Sequence, residues 1–375
     1  MDPNAVGAFV AERLEEYLAE LKALVEHESP SGDKSRLDAL ADKIVARWEE
    51  LGGRVERVDG GHLVGRFFTA APGKPALVVG HFDTVWPVGT IERLPWRREG
   101  ERIYGPGVYD MKASLVLVAA ALEGLAAAGA SPSRPVTVVF TSDEEVGSKT
   151  SRALIEEQAR RSAFALVLEP PLAGGALKTA RKGVGRFEVE VAGRAAHAGI
   201  APEEGASAIV ELAHQILKIQ SFNDPESGTT VNVGTVRGGT TPNVVPASAS
   251  AAVDARAATV AGAQTLEAAM AGLAAVTPGT RVSIAGGFNR PPMERTAAIA
   301  ALFERARAIG ATLGLKLIEA ATGGGSDGNF IAAVGTPVLD GLGTLGGGAH
   351  ADDEHVLFQT VPERAALLAA LWMGL

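Results

Sequence analysis

Five short segments place His, Asp and Glu where such side chains bind metals and move protons. His81 and Asp83 follow the apolar run Leu77–Val79 in Gly80-His81-Phe82-Asp83-Thr84-Val85. Asp110 sits in the turn Gly105-Pro106-Gly107-Val108-Tyr109-Asp110-Met111-Lys112, just ahead of an Ala/Leu/Val-rich stretch. Glu144 and Glu145 follow the β-branched run 136–141, and Glu169 follows 165–168. His350 lies in the glycine-rich loop Gly346-Gly347-Gly348-Ala349-His350. Taken singly, each has an ordinary reading: a rim histidine, a solvated turn, a loop edge. Together they fall largely at the C-terminal ends of strands, the edge at which open α/β sheets build their sites.

Electrostatics decides what such a cluster would hold. Asp110, Glu145 and Glu169 bring three negative charges to one rim and would repel unless neutralised. One divalent ion leaves that set net negative, whereas two leave it net positive. A positive site acidifies a bound water and attracts an anionic substrate. Two ions are therefore expected on His81, Asp110, Glu145, Glu169 and His350. The chain has no cysteine, so thiolate ligation is excluded. Imidazole and carboxylate ligands suit zinc, with cobalt or manganese as alternatives. Asp83 is expected to accept the second ring proton of His81 and so fix its tautomer.

These segments, with Ala196-His197-Ala198-Gly199 and Thr322–Asn329, resemble the co-catalytic zinc peptidase family of aminoacylases, dipeptidases and glutamate carboxypeptidases over essentially the whole chain. Among these, the bacterial folate-cleaving glutamate carboxypeptidases look nearest. The resemblance implies that Asp110 bridges two zinc ions per subunit, that His81 and Glu169 complete one site, and that Glu145 and His350 complete the other. It implies Glu144 as general base and a cis Asp110–Met111 peptide; Asp83, behind His81, is counted with Glu144 and His197 among the catalytic residues. It also implies that His197 stabilises an oxyanion, often across a dimer, and that Arg256, Asn243, Gly324 and Lys178 bind substrate. Arg256 has the fork that a substrate carboxylate takes bidentately; a salt bridge to Asp254 is its alternative. Lys178 lies near where a glutamate-specific pocket would offer a lysine. The segment Ala285-Gly286-Gly287 just before Phe288 holds no arginine, though Arg290 follows it, so the side chain selected stays open.

The elements that must position these residues come in two rhythms. Up to about residue 180, helices (9–26, 37–51, 113–128) alternate with apolar strands (63–68, 76–79, 136–141, 165–168), the pattern of a sheet covered by helices. The 113–128 helix is apolar all round and should be buried. From 181 to 287 the strand 185–191 alternates apolar and charged residues. With strands 229–236, 247–257 and 281–285 and helices 205–220 and 266–275 it makes a two-helix, four-strand α+β insertion. The first rhythm returns at 288–375, with a helix over 297–313 and another from 362. The expected fold is α/β: a mixed sheet sandwiched by helices, resembling the zinc exopeptidases. Its catalytic domain is split into 1–180 and 288–375 around an inserted lid and dimerisation domain at 181–287.

Composition narrows the classes. With 375 residues, 46% hydrophobic, a large core is easily built. The net charge of −9 and the lack of any basic stripe exclude nucleic acid as a partner. No run is long enough to span a membrane. Residues 1–21 carry Glu12, Glu15, Glu16 and Glu20, unlike a signal peptide, so a cytoplasmic location is expected, or a periplasmic one if a leader has been removed.

The expected activity is hydrolysis of an amide or peptide bond beside a free C-terminal carboxylate, in a small peptide or an N-acyl amino acid, by a homodimer. Carboxypeptidase and N-acyl-amino-acid amidohydrolase, with glutamate or a smaller or apolar C-terminal residue, remain open, as does deacylation of an acetylornithine- or succinyl-diaminopimelate-type intermediate. A metal-free binding protein on the same fold predicts a missing ligand or base. None of the six is missing here.

Overall fold

The computed structural model describes residues 4–375, which divide into two compact units. The first comprises the chain to Thr179, Arg295–Ala321 and Ser326–Leu375; the second is Ala180–Glu294 with Thr322–Gly325.

The first unit opens on α1 (Asn4–Glu12), α2 (Leu14–Val25) and α3 (Lys34–Glu50). The single helix expected over 9–26 is therefore two, broken at Arg13 (φ −110°, ψ 16°), which is not helical. Helix α3 begins where Asp33 accepts the Arg36 amide as an N-cap. Next come β1 (Arg54–Val58), β2 (His62–Phe67), β3 (Ala76–His81), α4 (Thr90–Arg93), β4 (Arg97–Glu99), β5 (Arg102–Tyr104), α5 (Ala113–Ala127), β6 (Val136–Thr141), α6 (Arg152–Arg161), β7 (Phe164–Val167) and β8 (Leu177–Arg181). Strands β1, β4, β5 and β8 were not expected; Arg and Glu dominate β1 and β4 and mask the alternation there.

The second unit carries β9 (Gly183–Ala192), α7 (Ala208–Gln220), β10 (Thr230–Gly238), β11 (Ser248–Ala257), α8 (Val260–Ala271) and β12 (Arg281–Arg290). The chain then returns to the first unit with α9 (Ala297–Thr312), β13 (Glu319–Thr322), α10 (Gly328–Ala333), β14 (Val338–Asp340), β15 (Gly346–Gly347), β16 (His355–Leu357) and α11 (Val361–Gly374).

An eight-stranded mixed sheet runs β1-β2-β6-β3-β7-β14-β8-β13. Its centre, β6-β3-β7-β14, is parallel. Strands β3 and β6 are buried along their whole length, so both sheet faces are covered, as parallel strands require. Trp48 of α3 packs against Phe140 of β6 at 4.9 Å between ring centroids. Helix α5 is buried on nearly every side. Its contact with α1 is close because position 124 is glycine: a Cβ there would lie 2.5 Å from Val6. The high Ala and Gly content thus serves close helix packing. A smaller sheet, β15-β16-β5-β4, frames the loop that carries His350.

In the second unit the antiparallel order is β10-β11-β9-β12, with α7 and α8 on an apolar cluster that includes Val189, Val253, Leu212 and Met270. The sequence reading ends this unit at 287, but β12 continues to Arg290 with Gly286 and Gly287 at positive φ, and the unit runs to Glu294. Helix α8 begins at the Thr259 N-cap, earlier than expected.

One carboxylate holds a turn of this unit. Glu211, fully buried, accepts from the Val276 and Thr277 amides, Thr280 Oγ1 and Gln215 Nε2. Burial pushes its pKa up, but these bonds outweigh that and hold it at about 2. Since the folded value is depressed, the stabilisation is complete above the unfolded value near 4.5 and fades as pH falls toward 2. Glu211→Ala takes this acceptor from the Val276 and Thr277 amides, while Gln215 Nε2 and Thr280 Oγ1 keep Ala274 O and Thr277 O, and is expected to cost on the order of 3 kcal/mol. Urea melts of both proteins at pH 7 and pH 3 check this: the gap between them should shrink at pH 3.

Candidate metal centre

His81 ends β3, Glu169 stands two residues past β7, and Glu145 lies in the turn after β6. All three therefore sit at the C-terminal edge of adjacent parallel strands. Asp110 comes from the turn preceding α5, where its peptide bond to Met111 is cis. His350 comes from the loop between β15 and β16 with φ of 62°. Glu169 gains its place partly through Gly343, where a Cβ would lie 2.3 Å from Leu168 O.

The structure brings the five together as two overlapping groups, His81–Asp110–Glu169 and Asp110–Glu145–His350, the ligand atoms of each lying within 4.8 Å of one another. Asp110 belongs to both. Its Oδ1 is 3.2 Å from His81 Nε2 and its Oδ2 3.3 Å from His350 Nε2. Glu169 Oε1 is 3.7 Å from His81 Nε2, and Glu145 Oε1 is 3.3 Å from His350 Nε2. One carboxylate thus turns a different oxygen toward each histidine.

The electrostatics fit divalent cations. Burial works against the charge of Asp110, yet bonds from His350 and His81 hold it well below the usual carboxylate range. Hydrogen bonds to Asp110 and Glu145 raise His350 to about 10. Burial lowers His81, but Asp110 and Asp83 overcome it and raise it well above its ordinary value. A field that holds protons this tightly on two imidazoles is one that divalent ions would answer. Glu145 Oε1, moreover, is buried, and the group it faces is His350 Nε2 at 3.3 Å. The residues present fit a pair of ions.

Asp83 is fully buried and holds this arrangement differently from expectation. The ring proton on His81 Nδ1 is taken by the backbone carbonyl of Asp83 at 3.0 Å, with the carboxylate oxygen further off at 3.4 Å. That carboxylate instead accepts the amides of Glu144 and Glu145, each at 3.2 Å, and Ser31 Oγ at 2.6 Å. It therefore fixes the Glu144–Glu145 turn, so that neighbouring carboxylates are aimed separately.

Three residues not among the expected site residues complete the support. Glu354 accepts four N–H donors around the Asp110 turn. Lys112 is buried and donates to Leu24 O and His27 O; burial pushes it down to about 7 against the pull of Glu354 and Glu28. Asp327, also buried, accepts from Ser148 Oγ and Thr141 Oγ1, bracing the turn that carries Glu144. All three are charged residues in or beside loops, where no periodicity marks them.

The remaining expected site residues are placed as follows. Lys178 is buried and directly opposite the buried Asp340 in the sheet, so opposite charges share one face. In the second unit, His197 and Asn243 are exposed on neighbouring loops joined by the Ala198 N–H to Asn243 O bond. The Arg256 fork is occupied by Asp254, with both bonds at 2.8 Å, the alternative its sequence position allowed. Gly324 O accepts from the buried Arg181, which the sequence reading did not single out.

The family model described as Peptidase family M20/M25/M40 matches residues 77–374. Carboxypeptidase G2 of Pseudomonas sp. (strain RS-16) is 33% identical over 372 residues, covering 95% of this chain and 88% of that protein. Succinyl-diaminopimelate desuccinylase of Delftia acidovorans is 29% identical over 353 residues, covering 87% and 89%. Among solved structures, aminopeptidase PepT from Bacillus cereus aligns with a TM-score of 0.78 at 22% identity over 96% of this chain and 97% of that one. The M20 family metallo-carboxypeptidase Sso-CP2 from Sulfolobus solfataricus aligns at 0.71 and 19%, over 95% and 99%. The structural likenesses concern the fold.

Proposed function

This chain belongs to peptidase family M20/M25/M40 and is a metallo-hydrolase, and from that premise we propose that it cleaves an amide or peptide bond next to a free C-terminal carboxylate. The observation that carries the reading is Asp110, whose two oxygens face two separate histidine–carboxylate groups. We assign His81, Asp110 and Glu169 to one ion and Asp110, Glu145 and His350 to the other. At these ligands a pair of divalent ions, zinc or alternatively cobalt or manganese, supplies a water acidified from 15.7 to roughly 7.

The chain's own residues do the rest. The Glu144 carboxylate takes a proton from the attacking water as the C–O bond forms at the amide carbonyl. It then delivers that proton to the leaving nitrogen as the C–N bond breaks. Asp83 keeps Glu144 in place through its backbone amide. His197, exposed on its loop, is assigned to the developing oxyanion, a role worth about 3 kcal/mol in comparable donors. Asn243, Arg256 and the Gly324 segment are assigned to the substrate carboxylate, Arg256 after release from Asp254. We also propose a homodimer through the second unit: Val236 on β10 and Ile209, Val210 and Leu217 on α7 expose apolar side chains, and β10 is an edge strand.

A screen with zinc present tests the reading, comparing N-acyl amino acids and dipeptides that differ in the C-terminal residue with their C-terminal amides. Hydrolysis of free acids with little hydrolysis of the amides is expected; equal turnover of both would refute the carboxylate requirement. The desuccinylase relative favours a second reading, deacylation of a biosynthetic intermediate. Including N-succinyl and N-acetyl diamino acids in the same panel separates the two.

A further inference from the structure

We propose that Glu354 is a positioning residue that holds Asp110 and His350 in register with each other, so that it sets the affinity of both metal positions without touching either ion. The proposal rests on the ligand roles assigned above to Asp110 and His350.

Glu354 is 3% exposed and each of its oxygens takes two donors. Oε1 accepts the Tyr109 amide at 2.9 Å and the Asp110 amide at 3.0 Å. Oε2 accepts the Gly107 amide at 2.8 Å and Trp86 Nε1 at 2.7 Å. Three amides of the 107–110 turn therefore converge on one carboxylate, and the Asp110 main chain has little freedom left. The same residue closes the His350 loop, since its own amide donates to Ala351 O at 3.0 Å. Its side chain and backbone thus fix the two segments that deliver the shared ligand and the most exposed ligand of the site. Trp86 adds a third segment, three residues beyond Asp83.

The acceptor must be a carboxylate. All four partners are N–H donors, two on each oxygen. A glutamine in either amide orientation sets its NH2 against two of those donors and replaces two bonds with repulsions. Glu354→Gln therefore keeps the volume but frees either the Tyr109–Asp110 amides or the Gly107 amide and Trp86. Groups that orient metal ligands from behind typically matter by about 10–100-fold in affinity.

Zinc binding to the full chain is measured by competition with a chromophoric chelator, alongside thermal melting and steady-state kinetics. Folded Glu354→Gln is expected to bind zinc about 10–100-fold more weakly. Its kcat should be low at limiting zinc and recover in excess zinc, with KM unchanged. A structural role alone would lower the melting temperature and leave the zinc affinity of the folded protein untouched; that result overturns the proposal. If Glu354→Gln does not fold, Trp86→Phe removes one donor and is expected to weaken zinc binding several-fold, and wild-type affinity there overturns the proposal equally. A wild-type protein that binds no zinc would sink the ligand assignment and this inference together. Wild-type zinc binding matched by the variant would sink this inference alone.

Discussion

Glu144→Gln is expected to lower kcat by about 10²–10⁴ while KM, metal content and melting temperature stay close to wild type. The substitution keeps the backbone amide that Asp83 Oδ1 accepts at 3.2 Å, so the turn is retained. Glu145, whose amide bonds the other oxygen of Asp83, keeps its aim at His350. What is lost is a group that takes the water proton and returns it to the leaving nitrogen. The effect should therefore fall on kcat and not on substrate binding. Steady-state kinetics on the substrate found by the screen, with metal analysis of the same preparation, provides the check. Near-wild-type kcat in the variant would remove Glu144 from the mechanism.

Asp110→Ala is expected to do more, lowering hydrolysis by at least about 10⁴-fold, toward the uncatalysed rate. Each other ligand serves one group, whereas Asp110 serves both. Its removal takes an anionic donor from each position, depriving His81 Nε2 of its nearest carboxylate and His350 Nε2 of one of two equally near ones. Both ions should be lost, and with them the acidified water. Excess zinc should not restore activity, in contrast to the expectation for Glu354→Gln, where the donor atoms remain and only their aim is disturbed. Retention of one tightly held ion would show that the two groups are independent and that Asp110 is not shared.

The clustering of the candidate ligands was legible because local sequence and global fold agree there. His81, Glu145 and Glu169 each follow an apolar run that reads as a parallel strand, and such strands end on one rim. The buried helix α5 was equally plain from its unbroken Ala, Leu and Val. Where charge interrupts the pattern, the sequence misleads: β1 reads Arg-Val-Glu-Arg-Val and looks like a loop until its pairing with β2 is seen. The break at Arg13 was hidden because the residues on either side suit one continuous helix.

Supporting residues were harder still. Glu354 follows two aspartates in what resembles a solvated loop, and only tertiary structure shows four donors meeting it. Lys112 and Asp327 are hidden for the same reason: a buried charge is defined by its partners, not by its neighbours in sequence. Substrate contacts lie between these extremes. Arg256 has the right chemistry for a carboxylate, but its fork engages Asp254, a pairing that its sequence neighbourhood offered as the alternative.

Hydrolysis is expected to depend on two ions sharing Asp110. The most direct test is to strip the protein with a chelator, titrate it with zinc, and follow hydrolysis of an N-acyl amino acid beside bound metal. No turnover is expected in the stripped protein, and activity should reach its plateau only as binding approaches two ions per chain. Full activity in stripped protein, or saturation of both binding and turnover at a single ion, would contradict that dependence.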